Sequence, residues 1–104
     1  MQKICVMRII SKKTLVVFYE TCADAKTALE EWYDKTEDAE WENIAQIKQM
    51  FHSADYVGNN RVVFNIKGNQ YRLVALVLLR IKRVYIRFVG AHKDYDRITD
   101  IESI

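Results

Sequence analysis

Residues 61–79, RVVFNIKGNQYRLVALVLL, constrain the fold more than any other stretch of this chain. Apolar and polar side chains alternate before Gly68-Asn69, and β-branched residues are frequent on both sides of it. A period of two is the signature of a strand, and a Gly-Asn pair between two such runs signals a tight hairpin. The second run is apolar on both faces over 73–79, as befits the centre of a sheet. A turn at 80–83 then leads to a third strand over 84–89, which Gly90 interrupts.

The first half of the chain reads with a period of 3.6 instead. After a short strand over residues 3–10, Ser11 is placed to cap a helix whose Leu15, Phe18, Tyr19 and Cys22 recur on one face. Asp24 is placed to cap a second helix with Ala25, Ala28, Leu29, Trp32 and Tyr33 inward. Asn43, followed three residues later by Gln46, resembles a capping box for a third, with Ile44, Ile47 and Phe51 inward. The aromatic stripes at helical spacing read as core. The predicted fold is α+β: an N-terminal strand, three helices, an antiparallel three-stranded meander and a short C-terminal helix, with the helices on one side of the sheet. At 104 residues, a single domain spanning 1–104 is expected.

Several classes are set aside. No apolar run approaches the roughly 20 residues of a membrane span. The N-terminal MQKICVMRIIS has too short an apolar stretch for a signal peptide and no small-residue cleavage site. Cys5 and Cys22 lack CxxC spacing and read as buried, reduced thiols of a cytoplasmic protein. Two scattered Cys and two distant His do not make a zinc site, so neither metal nor cofactor is expected.

Charge is unevenly spread. Residues 30–42 hold seven acids against one Lys. Residues 58–97 hold nine bases (Arg61, Lys67, Arg72, Arg80, Lys82, Arg83, Arg87, Lys93, Arg97) against Asp94 and Asp96. This asymmetry points to a polyanion-facing sheet with an acidic helical flank, the alternative being a charged surface without a partner.

Strand pairing sharpens the reading. With Lys67 facing Gln70 across a two-residue loop, Asn65 lies opposite Arg72 and Val63 opposite Val74. With Arg80 facing Arg83 across the next, Leu76 lies opposite Arg87 and Arg72 opposite Ala91. Arg61, Asn65, Arg72 and Arg87 then project from one face, with His92 beside them. Three arginines and an Asn cannot be buried there without partners. Either helix carboxylates pair with them or the face is open and binds anions.

Arg72 and Arg87 on adjacent strands suit bidentate recognition of one phosphate. His92 is of the residue type that exchanges protons near neutrality, and Lys93 and Tyr95 lie within a turn of it. Such a set fits RNA cleavage by attack of the 2′-hydroxyl on its own phosphodiester, which needs a base, an acid and cationic stabilisation but no metal. The bland reading is a hydrogen-bonding His92, a Tyr95 that packs the last helix, and a basic surface.

The chain resembles the HigB family of bacterial toxins within the RelE-like group of toxin–antitoxin ribonucleases. The resemblance spans nearly the whole chain. It rests on RIISKKTL, ALEEWYDKTEDAEWENIAQIKQMF, ADYVGNNRVVFNIKGNQYRLVALV and VYIRFVGAHKDYDRI, the blocks NRVVFNIKGNQYRL and YIRFVGAHKDYD being the most distinctive. Two departures stand out: Ala91 where the family often has Thr before the His, and Ile44 where Pro often follows the capping Asn. The resemblance implies a RelE-like fold and an mRNA interferase that cuts message on translating ribosomes. It also implies a HigA-like antitoxin with a helix-turn-helix fold, through which alone the pair meets operator DNA. In that setting Arg72 would stabilise the transition-state phosphate with Arg87 in support. His92 would be general base or acid, and Tyr95 its complement or a stacking platform. Arg61, Asn65, Lys67, Asn69 and Lys93 would position the RNA. Two rival readings remain: a non-catalytic module binding RNA or the ribosome through the same face, and an interaction subunit whose arginines meet a partner's carboxylates.

Overall fold

The computed structural model describes residues 7–104. Cys5 and the first half of the predicted first strand lie outside the described residues; its end is β1, Arg8–Ile10. Helices α1 (Lys12–Thr21), α2 (Lys26–Asp38) and α3 (Ile44–Met50) follow, with a 3₁₀ turn at Ala23–Ala25. Strands β2 (Asp55–Gly58), β3 (Arg61–Ile66), β4 (Tyr71–Leu78) and β5 (Arg83–Ala91) form the second half. A one-turn helix α4 (His92–Tyr95) and a 3₁₀ turn (Ile101–Ser103) complete it. The sheet has five strands in the order β1-β5-β4-β3-β2. β1 is parallel to β5 and all other pairs are antiparallel, so the α+β expectation holds. No described helix is long and apolar enough to cross a membrane.

The helical faces read from spacing are the buried ones. Leu15 of α1, Leu29 and Trp32 of α2 and Ile47 of α3 are fully buried, with Phe18, Tyr19, Cys22, Ala28 and Tyr33 packed at the margin. They meet the alternate residues Val62, Phe64, Ile66, Leu73, Ala75, Val77 and Val84 of the sheet. Phe64 is the hub. Its ring lies edge-to-face with Trp32 (5.3 Å) and Phe51 (5.2 Å) and stacks against Trp41 (6.4 Å). Each such pair adds about 0.5–1.5 kcal/mol beyond its buried area.

Four local expectations change. Asp24 does not cap α2; it sits inside the 3₁₀ turn, and α2 begins without a side-chain cap. Asn43 Oδ1 does accept from Gln46 N (3.0 Å), but Gln46 Oε1 reaches back to Glu42 N (2.6 Å) rather than to Asn43. The meander has four strands, because β2 precedes the three expected. Its turn, Asn59-Asn60, has φ of 49° and 65°, the positive values of a tight hairpin that Asn tolerates. The next hairpin has a four-residue loop, closing after the Ile66–Tyr71 pair, with positive φ at Lys67 and Gly68 rather than at Gly68 and Asn69.

Gly90 does not end its strand. It pairs with Arg72 inside β5, and a Cβ there would lie 2.7 Å from the Phe88 ring. The ring of Phe88 occupies the space that a side chain at 90 would need. Gly90→Ala is therefore expected to cost about 1–3 kcal/mol of stability, the usual range for overpacking. In a Phe88→Ala background that cost should fall below about 0.5 kcal/mol if the ring is the cause. Urea titration of the four proteins measures it, and an equal cost in both backgrounds would show that the ring is not the obstacle.

Candidate active site

The first hairpin register is as expected: Asn65 pairs with Arg72, Val63 with Val74, and Arg61 with Leu76. Arg61, Asn65 and Arg72 therefore share the face turned away from the main core. The second register differs. Arg83 faces Leu78, not Arg80, because a 3₁₀ turn at Leu79–Ile81 and a left-handed Lys82 make a longer loop. Leu76 consequently pairs with Tyr85 rather than Arg87. A bulge then shifts the pairing between Ala75–Ile86 and Val74–Phe88, so Arg72 meets Gly90 instead of Ala91. Arg87 is left at that bulge, exposed and without a partner across the ladder. It is not set beside Arg72.

Arg72 borders an open cleft of about 400 Å³, lined also by Asn65, Tyr95, Lys48, His52 and Asp55. Its Nη1 donates to the carbonyls of Asn69 (3.2 Å) and Tyr71 (3.3 Å), and its guanidinium carbon lies 5.9 Å from the Tyr95 ring centroid. No carboxylate among the described residues forms an ion pair with it. The remaining N–H groups of a half-buried guanidinium thus meet the cleft, held by two carbonyls and a ring face. Burial pushes the Tyr95 phenol up from its ordinary value, the Asp55 carboxylate adds to this, and Arg72 opposes it. Tyr95 therefore remains a hydroxyl donor at neutral pH, suited to supporting Arg72 and to donating a hydrogen bond rather than to removing protons.

The other expected site residues lie elsewhere. Arg61 is committed to structure: its Nε and Nη2 donate to the Ile104 main-chain oxygen (3.2 and 2.8 Å), and its Nη1 to Asn59 O (2.8 Å). Lys67 pairs with Asp24 at 3.0 Å. Asn69 enters only through the carbonyl that holds Arg72. His92 starts α4, where its N–H donates to Gln70 O (3.1 Å) and its Nδ1 lies 2.8 Å from Asp96 Oδ2. That side chain faces solvent and does not line the cleft. Lys93 is exposed beside it.

Comparison with known proteins agrees with this architecture. The model of the HigB toxin family, described as the RelE-like toxic component of a toxin–antitoxin system, matches residues 25–98. This chain belongs to the HigB toxin family. The matched span runs from the start of α2 past α4 and contains every residue of the cleft. The chain is also 32% identical over 98 residues to the mRNA interferase toxin HigB of Escherichia coli K12, covering 91% of this chain and 93% of that protein. The mRNA interferases HigB of Escherichia coli O157:H7 and Shigella flexneri match to the same extent.

Lys48, His52 and Asp55 of this HigB-family chain were not among the expected site residues. Lys48 lies in the last turn of α3, His52 in the link that follows, and Asp55 opens β2, the strand the pattern missed. The Asn59-Asn60 turn was the available signal. Recognising it pairs Gly58 with Arg61, and a register shift between Tyr56 and Gly58 then sets Asp55 opposite Val63, with the preceding His52 on the cleft beside Asn65 and Arg72.

On the opposite side, Asp24 ties the α1–α2 turn to the hairpin. Its carboxylate accepts from Tyr71 Oη (2.5 Å) and from Lys67 Nζ (3.0 Å). The Tyr71 bond, then the Lys67 bond, hold Asp24 below the ordinary carboxylate value, and the same bond to Asp24 pushes Tyr71 from 10.0 up to about 12. The signs follow from linkage. Tyr71's contribution to stability is complete below pH 10 and is lost as pH rises through about 12. Asp24's is present above pH 3.8 and is lost on further acidification. Asp24→Asn should bring the Tyr71 phenolate titration back toward 10, read by ultraviolet absorbance against Tyr71→Phe. An unmoved titration would mean the carboxylate is not what holds the phenol proton.

Proposed function

We propose that this chain is the toxin of a toxin–antitoxin pair and acts as an mRNA interferase, cutting message and so stopping translation. The observation that carries the reading is Arg72. In a member of the HigB family, whose relatives are named mRNA interferases, it stands over Tyr95 with no carboxylate partner among the described residues and faces an open polar cleft. An arginine at the start of an otherwise apolar central strand serves stability poorly, which favours a role in function.

The reaction is cleavage by the RNA's own 2′-hydroxyl, which attacks the adjacent phosphorus. Arg72 stabilises the charge that builds on the phosphoryl oxygens, and no metal is required. Asn65 lies opposite Arg72 on the same face and is placed to hydrogen-bond the RNA backbone. The exposed Arg87 and Lys93 extend the basic surface along which the strand is drawn in. The substrate is message on the ribosome, in the cytoplasm. The antitoxin is a HigA-like helix-turn-helix protein that blocks the toxin and carries the pair to its operator DNA.

Inducing the chain alone should arrest growth and translation, and co-expressing the antitoxin should restore both. Unimpaired growth with folded protein present would favour a module that binds RNA or the ribosome without cutting. Arg72→Ala should lower single-turnover cleavage of ribosome-bound message by about 10²–10³, the scale of losing one preorganised donor at a charged transition state. Its melting transition should stay cooperative. Wild-type cleavage by that variant would remove Arg72 from the site.

A further inference from the structure

We propose that His52 is the general base of this site. The inference rests on the reading of the cleft as an RNA-cleaving centre and names the residue that takes the proton. Of the two histidines in the chain, only His52 lines the cleft with Arg72, Asn65 and Tyr95. His92 lies off the cleft, beside Asp96.

Three further features support the assignment. The histidine lies two residues beyond the end of α3, and α3 is anchored by Ile47, which is fully buried, so the short segment at 51–54 is held at both ends. Phe51 packs against Phe64 on one side of His52, and Ala54 is buried on the other. The imidazole is thus exposed on a fixed piece of backbone, as a base that meets a flexible strand requires. Of the other proton-handling groups in the cleft, Tyr95 is kept protonated by burial and by Asp55, and Lys48 is a cationic side chain of the kind that attracts the phosphate. Asp55, on β2, is a carboxylate whose charge repels the phosphate that Arg72 attracts. Histidine is the residue type in this set that can take a proton without adding negative charge to the site.

The step balances. Neutral His52 takes the 2′-hydroxyl proton as the O2′–P bond forms. The P–O5′ bond breaks, and its electron pair goes to the 5′-oxygen, which takes a proton from water. The hydroxide so formed is neutralised by the protonated imidazole. The products are a 2′,3′-cyclic phosphate and a 5′-hydroxyl, with no net proton consumed. The charged and titratable groups sharing the cleft with His52 are Lys48 from α3, Asp55 from β2, Arg72 from β4 and Tyr95 from α4.

The test is single-turnover cleavage of ribosome-bound message by the full chain, its His52→Gln, His52→Gly and His92→Gln variants, across pH 5.5 to 8.5, a window chosen about the ordinary imidazole value. His52→Gln is expected to lose about 10²–10⁴ in rate, the range for general acid–base catalysis, and to lose the acidic limb of the profile. RNA binding should be retained. Free imidazole should restore part of the rate to His52→Gly, in proportion to its neutral form, which repair of a merely structural defect would not do. Three results overturn the assignment: a His52→Gln rate and profile like those of the wild type, a loss that imidazole does not rescue, or a lost limb in His92→Gln instead. If the wild type itself cuts no message, the interferase reading falls first and the base falls with it.

Discussion

The packing of Phe64 against Trp32, Trp41 and Phe51 is the interaction on which the rest of the structure depends. One strand residue engages α2, the α2–α3 connection and the end of α3 at once. Because side chains alternate along a strand, placing Phe64 inward also places Val62 and Ile66 inward and turns Arg61 and Asn65 outward. A slip of one residue would bury Asn65 and Arg61 under the helices and expose Phe64. The loss of apolar burial and the desolvation of a guanidinium both oppose it. The aromatic cluster thus decides which face of the sheet carries the cleft.

The cleft is assembled from four separate parts of the chain, and each is fixed by a different contact. Asn65 and Arg72 are set by the β3–β4 register. The guanidinium is steered by two carbonyls at the hairpin, and Tyr95 is brought beneath it by the single turn of α4. The bulge at Arg87 and the missing side chain at Gly90 let β5 pass Arg72 closely while Phe88 folds over the glycine. Lys48 and His52 arrive from the helical layer, on the segment held by Ile47 and Phe51. Arg61 shows the converse. It shares the face with Arg72, yet the Ile104 main-chain oxygen and the Asn59 carbonyl engage its guanidinium. Being on the right face is not enough; the guanidinium must also lack a partner.

Where local chemistry governs, the residues were legible. The inward stripes of α1 and α2, the Asn43 cap and the pairing of Asn65 with Arg72 each depend on spacing within a few residues or across one short loop. The errors share one cause. Asp24 has the right chemistry for a cap, but Tyr71 and Lys67, more than 40 residues away, compete for its carboxylate. The turn at 80–83 took a 3₁₀ form that also lets Lys82 Nζ donate to Trp41 O (2.9 Å). No local pattern announces such a partner, and the longer turn displaced Arg87 from its expected place.

By itself, the sequence determined the fold class, the faces of the helices, the central hairpin and the family, because period, turn chemistry and motif order are properties of neighbouring residues. Only the tertiary structure decided which basic side chains remain without partners and which histidine shares their cleft. Those are outcomes of competition between groups far apart in the chain: a carbonyl claims Arg61, a carboxylate claims Lys67, Asp96 lies beside His92, and Arg72 and His52 are left facing the same open space.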